Sequence, residues 1–282
     1  MTWFVLAILH VIGTAFANIA RKILLKNDKS DAVGAAIIFQ FTGCAITAVF
    51  AFWHGFVMPP ILDHPLNFLI QASFWGFATL TLFKAYQYIE ASEVTVLTTL
   101  EAVFTIIVAL VFLHEVFTGI NVIGTVLIII AVVYLSQTSS KMKFNKGVLF
   151  AVIYSILAGV AIVNDTYMLR YADVLSYLTV GFFTPGLFML AVNPKVVTRM
   201  RPLFAPSLLK KNFTFTLLYT LAGIAFFLAL ATGGSASQVA TIAQASVVLT
   251  VFLAMAILNE RDHIIRKIIC AVLVTIGVLL LR

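Results

Sequence analysis

Apolar positions along this chain come in long runs, separated by short polar stretches. A helix needs roughly 20 apolar residues to cross the ~30 Å hydrocarbon core of a bilayer. Segments 3–20, 33–54, 67–88, 93–114, 118–136, 147–165, 174–193, 212–231, 236–258 and 264–281 meet or approach that length. Helices are the expected form, because they satisfy their own backbone polar groups where no water can. The connections are short, apart from His54–Pro65 and the proline-containing basic stretch Asn193–Asn212. One run stands out. "VLTTLEAVFTIIVALVFLHE", Val96–Glu115, carries Glu101 in its interior, where a charge is costly.

The N-terminal run "MTWFVLAILHVIGTAFA" ends in the small-x-small triplet Ala15-Phe16-Ala17. A secretory signal would also begin with positive charge. Here Arg21, Lys22, Lys26 and Lys29 follow the run instead. The run is read as a retained first transmembrane helix.

Composition sharpens this picture. Of 282 residues, 62% are hydrophobic and 10% charged, against about 45–50% and about 25% in soluble domains. A soluble enzyme is excluded, and an integral membrane protein is expected. The formal charge of +7 therefore reads as cytoplasmic loop charge and not as a nucleic-acid surface. Lys and Arg in or flanking the loops after the first, fifth, seventh and ninth segments number four, three, five and three. The opposite side has only Arg170 and Arg282. This bias puts "RKILLKNDKSD" in the cytoplasm and both termini outside, in a plasma or inner membrane. Cys44 and Cys270 lie in apolar runs, and the five His show no HExxH or paired spacing, so no disulfide, metal or cofactor is expected.

The chain also repeats. "ASEVTVLTTLEAVFTIIVALVFLHE" (91–115) aligns with "ASQVATIAQASVVLTVFLAMAILNE" (236–260). At one constant offset Ala91, Ser92, Val94, Val103, Ala109, Leu113 and Glu115 meet Ala236, Ser237, Val239, Val248, Ala254, Leu258 and Glu260. Gly13 and Asn18 meet Gly159 and Asn164 one residue further along. The fold expected is all-α: ten transmembrane helices as two five-helix units, 1–140 and 141–282. Because five is odd, the second unit is inverted in the membrane, the common plan of secondary transporters.

Ten helices, an inverted repeat and a Glu-terminated fourth helix in each half resemble the drug/metabolite transporter superfamily, EamA type. "LTTLEAVFTIIVALVFLHEVFTGINVIGTVLIIIAVVYL" carries the resemblance in the first half. "ATIAQASVVLTVFLAMAILNERDHIIRKIICAVLVTIGVLLL" carries it in the second. It implies transport of a small metabolite, export in many bacterial members, and a central cavity lined by helices 1, 3, 4, 6, 8 and 9. Two departures stand out. Many members keep their termini in the cytoplasm, and Glu101-Ala102-Val103-Phe104 stands where the family usually has a proline.

Ionisable residues at membrane depth are functional candidates by default. Glu101 lies about 12 Å into the fourth helix at 1.5 Å per residue. Lys84 lies comparably deep in the third, so the two are expected to meet across the hairpin, either as a packing pair or as a working one. Desolvation favours a neutral carboxyl and a nearby cation favours the carboxylate. A group balanced between them can exchange a proton, which makes Glu101 the candidate coupling residue. Its mate in the second repeat is Ser246, so the charge breaks the internal symmetry. Thr98, Glu101 and Thr105 share a helical face, and Thr241 and Gln244 make a weaker stripe on the ninth helix. By the resemblance Asn18 and Asn164 are pathway candidates. His10 is a deeper titratable one, although a lone His is more often hydrogen-bonded packing. Tyr86, Tyr88, Tyr219, Phe226 and Phe227 are candidate aromatic walls. Glu115 and Glu260 read as structural charges at helix ends, and Glu90 and Glu93 as solvated. The run Lys195, Arg199, Arg201, Lys210, Lys211 reads as a loop facing anionic lipid.

The function expected is secondary active transport by alternating access, proton-coupled through Glu101. The fitting cargo is an amino acid or related zwitterion, with Lys84 facing its carboxylate. A non-transporting structural or regulatory membrane protein and an intramembrane enzyme are the alternatives. The expected partners are a small-molecule substrate and the bilayer, with no nucleic acid, and the chain acts as a monomer or homodimer.

Overall fold

The computed structural model describes residues 3–25, 31–112, 119–136, 145–232, 242–243, 245–260 and 262–280. Among them all regular structure is helical. The elements are α1 (Trp3–Leu25), α2 (Ala32–His54), α3 (Pro65–Tyr88), α4 (Ala91–Thr98), α5 (Leu100–Phe112), α6 (Gly119–Ser136) and α7 (Lys146–Met168). They continue with α8 (Val174–Val192), a short α9 (Val196–Arg199), α10 (Pro206–Ala231), α11 (Ala245–Ile257) and α12 (Ile264–Leu280). Among the described residues six helices are long and apolar enough to cross a membrane: α1, α2, α3, α7, α8 and, over Pro206–Ala229, α10.

Chain chemistry sets the ends. Asp31 caps α2, accepting from the Val33 and Gly34 amides at 3.0 and 3.3 Å. Asp173 caps α8 through the Ser176 amide and hydroxyl at 2.9 and 2.8 Å. Each occupies an orphan donor of a first turn. The segment expected as one helix over 93–114 is two. The hydroxyls of Thr95, Thr98 and Thr99 donate to the carbonyls of Ala91, Thr95 and Val96. Such bonds from side chain to backbone compete with the helical ladder, and the helix is interrupted at Thr99, whose backbone keeps α-helical angles, φ −66° and ψ −15°. Irregular backbone at membrane depth is tolerated where it lines a cavity.

Packing is between distant parts of the chain. α1 lies along α10, α3 along α7, α2 along α8, and α6 along α12. Small residues sit at the crossings, as expected where lipid supplies no hydrophobic drive and close approach must come from small side chains. A Cβ on Gly13 would meet the Ala222 Cβ at 2.9 Å, and one on Gly124 would meet the Gly277 carbonyl oxygen at 2.5 Å. The interior holds an aromatic knot of Phe39, Phe83 and Phe215, with centroids 5.0–5.7 Å apart. Phe52, Trp53, Leu62 and other large apolar groups are turned outward, the inverse of a soluble surface.

Four charges expected at loops or helix ends, Lys22, Glu90, Glu260 and Lys267, meet at the turn between α3 and α4. Lys22 lies inside α1, which runs five residues further than the apolar pattern, and its Nζ donates to the Tyr86 and Ile89 carbonyls at 2.7 and 2.6 Å. The buried Lys267 pairs with Glu90, so Glu90 is not simply solvated. Glu260 is structural, as expected, but the helix it caps lies in the other half of the chain. It accepts from the Ala91 and Ser92 amides at 2.9 and 3.1 Å and from the Ser92 hydroxyl at 2.7 Å. A cation thus meets the end of α3 and an anion the start of α4, each matching the helix dipole. Glu260→Ala is expected to destabilise by several kcal/mol, since each buried donor left unpaired costs about 1–3 kcal/mol. Ser92→Ala should cost about 1 kcal/mol, the net worth of one hydrogen bond. Thermal unfolding in detergent checks this, and a Glu260→Ala protein melting with the wild type refutes it. Glu115 lies outside the described residues.

Candidate functional site

Beside this turn, the break at Thr99 opens on a cavity of about 200 Å³ between α1, α3, α4, α5, α7, α10 and α11. α1 contributes Thr14, Asn18 and Arg21, at i, i+4 and i+7 on one helical face. α3 gives Leu82 and Tyr86, the broken helix gives Thr95, Thr98, Thr99 and Glu101, and the second half of the chain gives Tyr154, Tyr219, Ser246 and Val247. The volume lies below the about 300–1,000 Å³ usual for drug-sized ligands.

Glu101 stands in the first turn of α5. The dipole of that N-terminus favours a negative charge there. The helix break therefore puts an anion-tolerant end at membrane depth. The Tyr154 hydroxyl lies against the carboxylate.

Arg21 is the group the sequence reading missed. It belongs to α1 and not to a loop, and it is 2% exposed. Its guanidinium lies 5.5, 5.0, 4.6 and 5.2 Å from the ring centres of Phe83, Tyr86, Phe215 and Tyr219. Its Nε is buried without a hydrogen-bond acceptor. Cation–π contacts are worth about 0.5–2 kcal/mol each, whereas burying an ion costs several kcal/mol. The rings offset part of that cost and leave the buried Nε–H unmatched. Arg21 and Glu101 do not pair. Among the described residues the ion pairs are Arg199 with Asp31, at 3.3 Å, and Lys267 with Glu90. Tyr154 and Tyr219 line the same cavity as both charges. The spacing of Thr14, Asn18 and Arg21 was a legible clue. The missing helix-breaker after Ala20 was another.

The other expected site residues divide. Asn18 lines the cavity and donates to the Thr250 hydroxyl at 3.4 Å. Thr98 lines it too, its hydroxyl spent on the Thr95 carbonyl at 3.2 Å. Thr105 turns away and donates to the Glu101 carbonyl at 2.8 Å. Lys84 neither lines the cavity nor meets Glu101; its ammonium lies 5.1 Å from the Phe150 ring centre. The expected Lys84–Glu101 pair is absent, because α3 turns Lys84 toward α7 and away from α5. His10 donates through Nδ1 to the Ala222 carbonyl at 2.9 Å and packs on Phe226. Asn164 exchanges hydrogen bonds with Asn67 at 2.8 and 3.1 Å. Beside it Asp165 accepts from the Trp75 indole and Tyr177 hydroxyl, each at 2.7 Å. That second polar cluster joins α3, α7 and α8. Thr241 and Gln244 lie outside the described residues. Of the candidate walls, Tyr86 and Tyr219 line the cavity. No group of three or more His, Cys, Asp or Glu among the described residues could hold a metal.

A multi-pass helical membrane protein with a small polar cavity between its packed halves is the class these features define. The chain belongs to the EamA-like transporter family, whose model matches residues 1–137 and again 145–282. It is therefore a membrane transporter of the drug/metabolite transporter superfamily. Its fold is similar to that of a solved protein, reported as "Crystal structure of protein", with a TM-score of 0.64 and 11% identity over 98% of this chain and 94% of that one. No curated protein matches the sequence.

Proposed function

We propose that the chain is a secondary active transporter working by alternating access. In this reading it has ten membrane helices in two inverted five-helix halves, 1–140 and 141–282. Its cargo is a small zwitterionic metabolite, with amino acids foremost, and protons couple through Glu101. The observation that carries this is the cavity itself: both halves build its walls, and an acidic side chain sits on a broken helix within it. Discontinuous helices around a site at the repeat interface are the recurring plan of such transporters. The pairing of α1 with α10 and of α3 with α7 supports the internal symmetry, because the repeat offset exchanges these two contacts.

Asn18, Thr98 and Glu101 remain the pathway residues of this reading. His10, Lys84, Thr105 and Asn164 support the helices around it. Export, a plasma or inner membrane, external termini and a sufficient monomer complete the reading. The basic stretch from Lys195 to Lys211 is read as facing anionic lipid.

Liposome flux tests it. Wild-type and Glu101→Gln protein are reconstituted with an internal pH dye and given pools of amino acids, sugars and cationic drugs. The expected result is proton movement with the amino-acid pool in the wild type and a background rate in the variant. Equal responses from both proteins would refute the coupling role, and no response to any pool would refute transport.

A further inference from the structure

Arg21 does more in this cavity than the transport reading asks of it. It is nearly fully buried, it lines the cavity, and its Nε has no acceptor anywhere in the described chain. Four aromatic rings surround the guanidinium, their centres 4.6–5.5 Å from its central carbon. Ring faces attract a cation but offer no lone pairs along its N–H directions. A guanidinium so placed is preorganised for a planar anion approaching edge-on, as in bidentate Arg–carboxylate pairs. Lys would supply the charge without the planar fork.

We infer that Arg21 is the carboxylate-recognition group of this cavity, holding a zwitterionic cargo by its carboxylate while Glu101 faces the cargo's cationic end. The assignment rests on the reading of this cavity as the transport site. It replaces the role expected of Lys84, whose ammonium stacks on Phe150 outside the cavity. The charge pattern selects the class of ligand. The cavity carries one cation and one acid, without a bond between them, on walls rich in hydroxyls. A phosphate dianion would meet a single guanidinium and the repulsion of Glu101. A zwitterion matches both charges at once.

Binding to the purified full-length protein in detergent, read by thermal shift, tests this apart from transport. The probes are a pool of natural amino acids, the matching pool of amino-acid methyl esters, the matching pool of des-amino carboxylic acids, and inorganic phosphate. The wild type should be stabilised by the amino acids and, more weakly, by the des-amino acids. It should be unaffected by the esters and by phosphate. Arg21→Gln should bind amino acids about tenfold to hundredfold more weakly, the loss of one charge-assisted hydrogen-bonding partner. Esters binding as well as acids, phosphate as the only ligand, no pool binding at all, or unchanged amino-acid binding by Arg21→Gln would each overturn the assignment. Should Arg21→Gln fail to purify as a monodisperse protein, Arg21→Lys decides. It keeps the charge within the rings, and unchanged affinity there overturns recognition by the planar fork. Arg21-dependent acid binding without liposome flux would leave the assignment standing and refute transport. Flux indifferent to Arg21 would do the reverse.

Discussion

Glu90→Ala is expected to destabilise this protein by about 3–5 kcal/mol, the usual cost of breaking a buried ion pair from one side. The opposite change, Lys267→Met, should cost clearly less. The asymmetry follows from exposure. Lys267 is 2% exposed, whereas the Glu90 side chain is 31% exposed. Without Glu90, an ammonium remains sealed in the protein with no counter-charge. Without Lys267, the carboxylate can turn to water, and the methionine fills most of the vacated volume. The double variant should resemble Lys267→Met alone, since the stranded charge is gone. Melting temperatures of the four proteins in one detergent provide the measurement. Lys267→Met as the worse single variant would refute this account of the pair. The pair also bridges residues far apart in sequence, so its loss should loosen the contact of α4 with α12.

Gly277→Leu should be more damaging still, and its expected outcome is failure to recover monodisperse protein. α6 and α12 cross through Gly124 and Gly277. A Cβ on Gly277 would come within 2.7 Å of Ile128 Cγ1 and 2.8 Å of the Gly124 carbonyl oxygen. The side chain can shift, but the carbonyl is part of a helix and cannot. Overpacking a core costs about 1–3 kcal/mol even where neighbours adjust, and here two helices must separate. Gly119→Leu, where a Cβ would meet nothing within 4 Å, is the matched control and should be recovered at wild-type yield. Equal recovery of both proteins would refute the close crossing.

The apolar runs made much of the helical plan legible. The expected 33–54, 67–88, 147–165, 174–193 and 264–281 fall close to α2, α3, α7, α8 and α12. Long apolar stretches read clearly because each must face lipid or a like neighbour over its whole length. Where polar residues entered, boundaries moved. α1 continues through Arg21 and Lys22 to Leu25, and α10 begins at Pro206, before the expected 212. Both extensions carry basic residues that hydropathy alone assigns to loops. The break at Thr99 was also hidden. Thr hydroxyls bonding back to the helix leave no mark on an apolar average, although three of them cluster within Thr95–Thr99.

By itself the sequence determined a helical membrane protein, and it determined that Glu101 would need a reason to sit at membrane depth. Composition and run length suffice for the first. The desolvation cost of a carboxylate suffices for the second. The partner of each charge was a tertiary decision. Arg21 faces rings from α3 and α10, Lys22 the end of α3, Glu260 the start of α4, and Lys267 the side chain of Glu90. Lys84, equally deep, went to Phe150. A charge near a helix end looks the same in sequence whether it meets water, a helix terminus or a cavity. Only the packing of helices from distant parts of the chain brings its counterpart within reach, because the energy that sorts these outcomes depends on separation in space and not on separation along the chain.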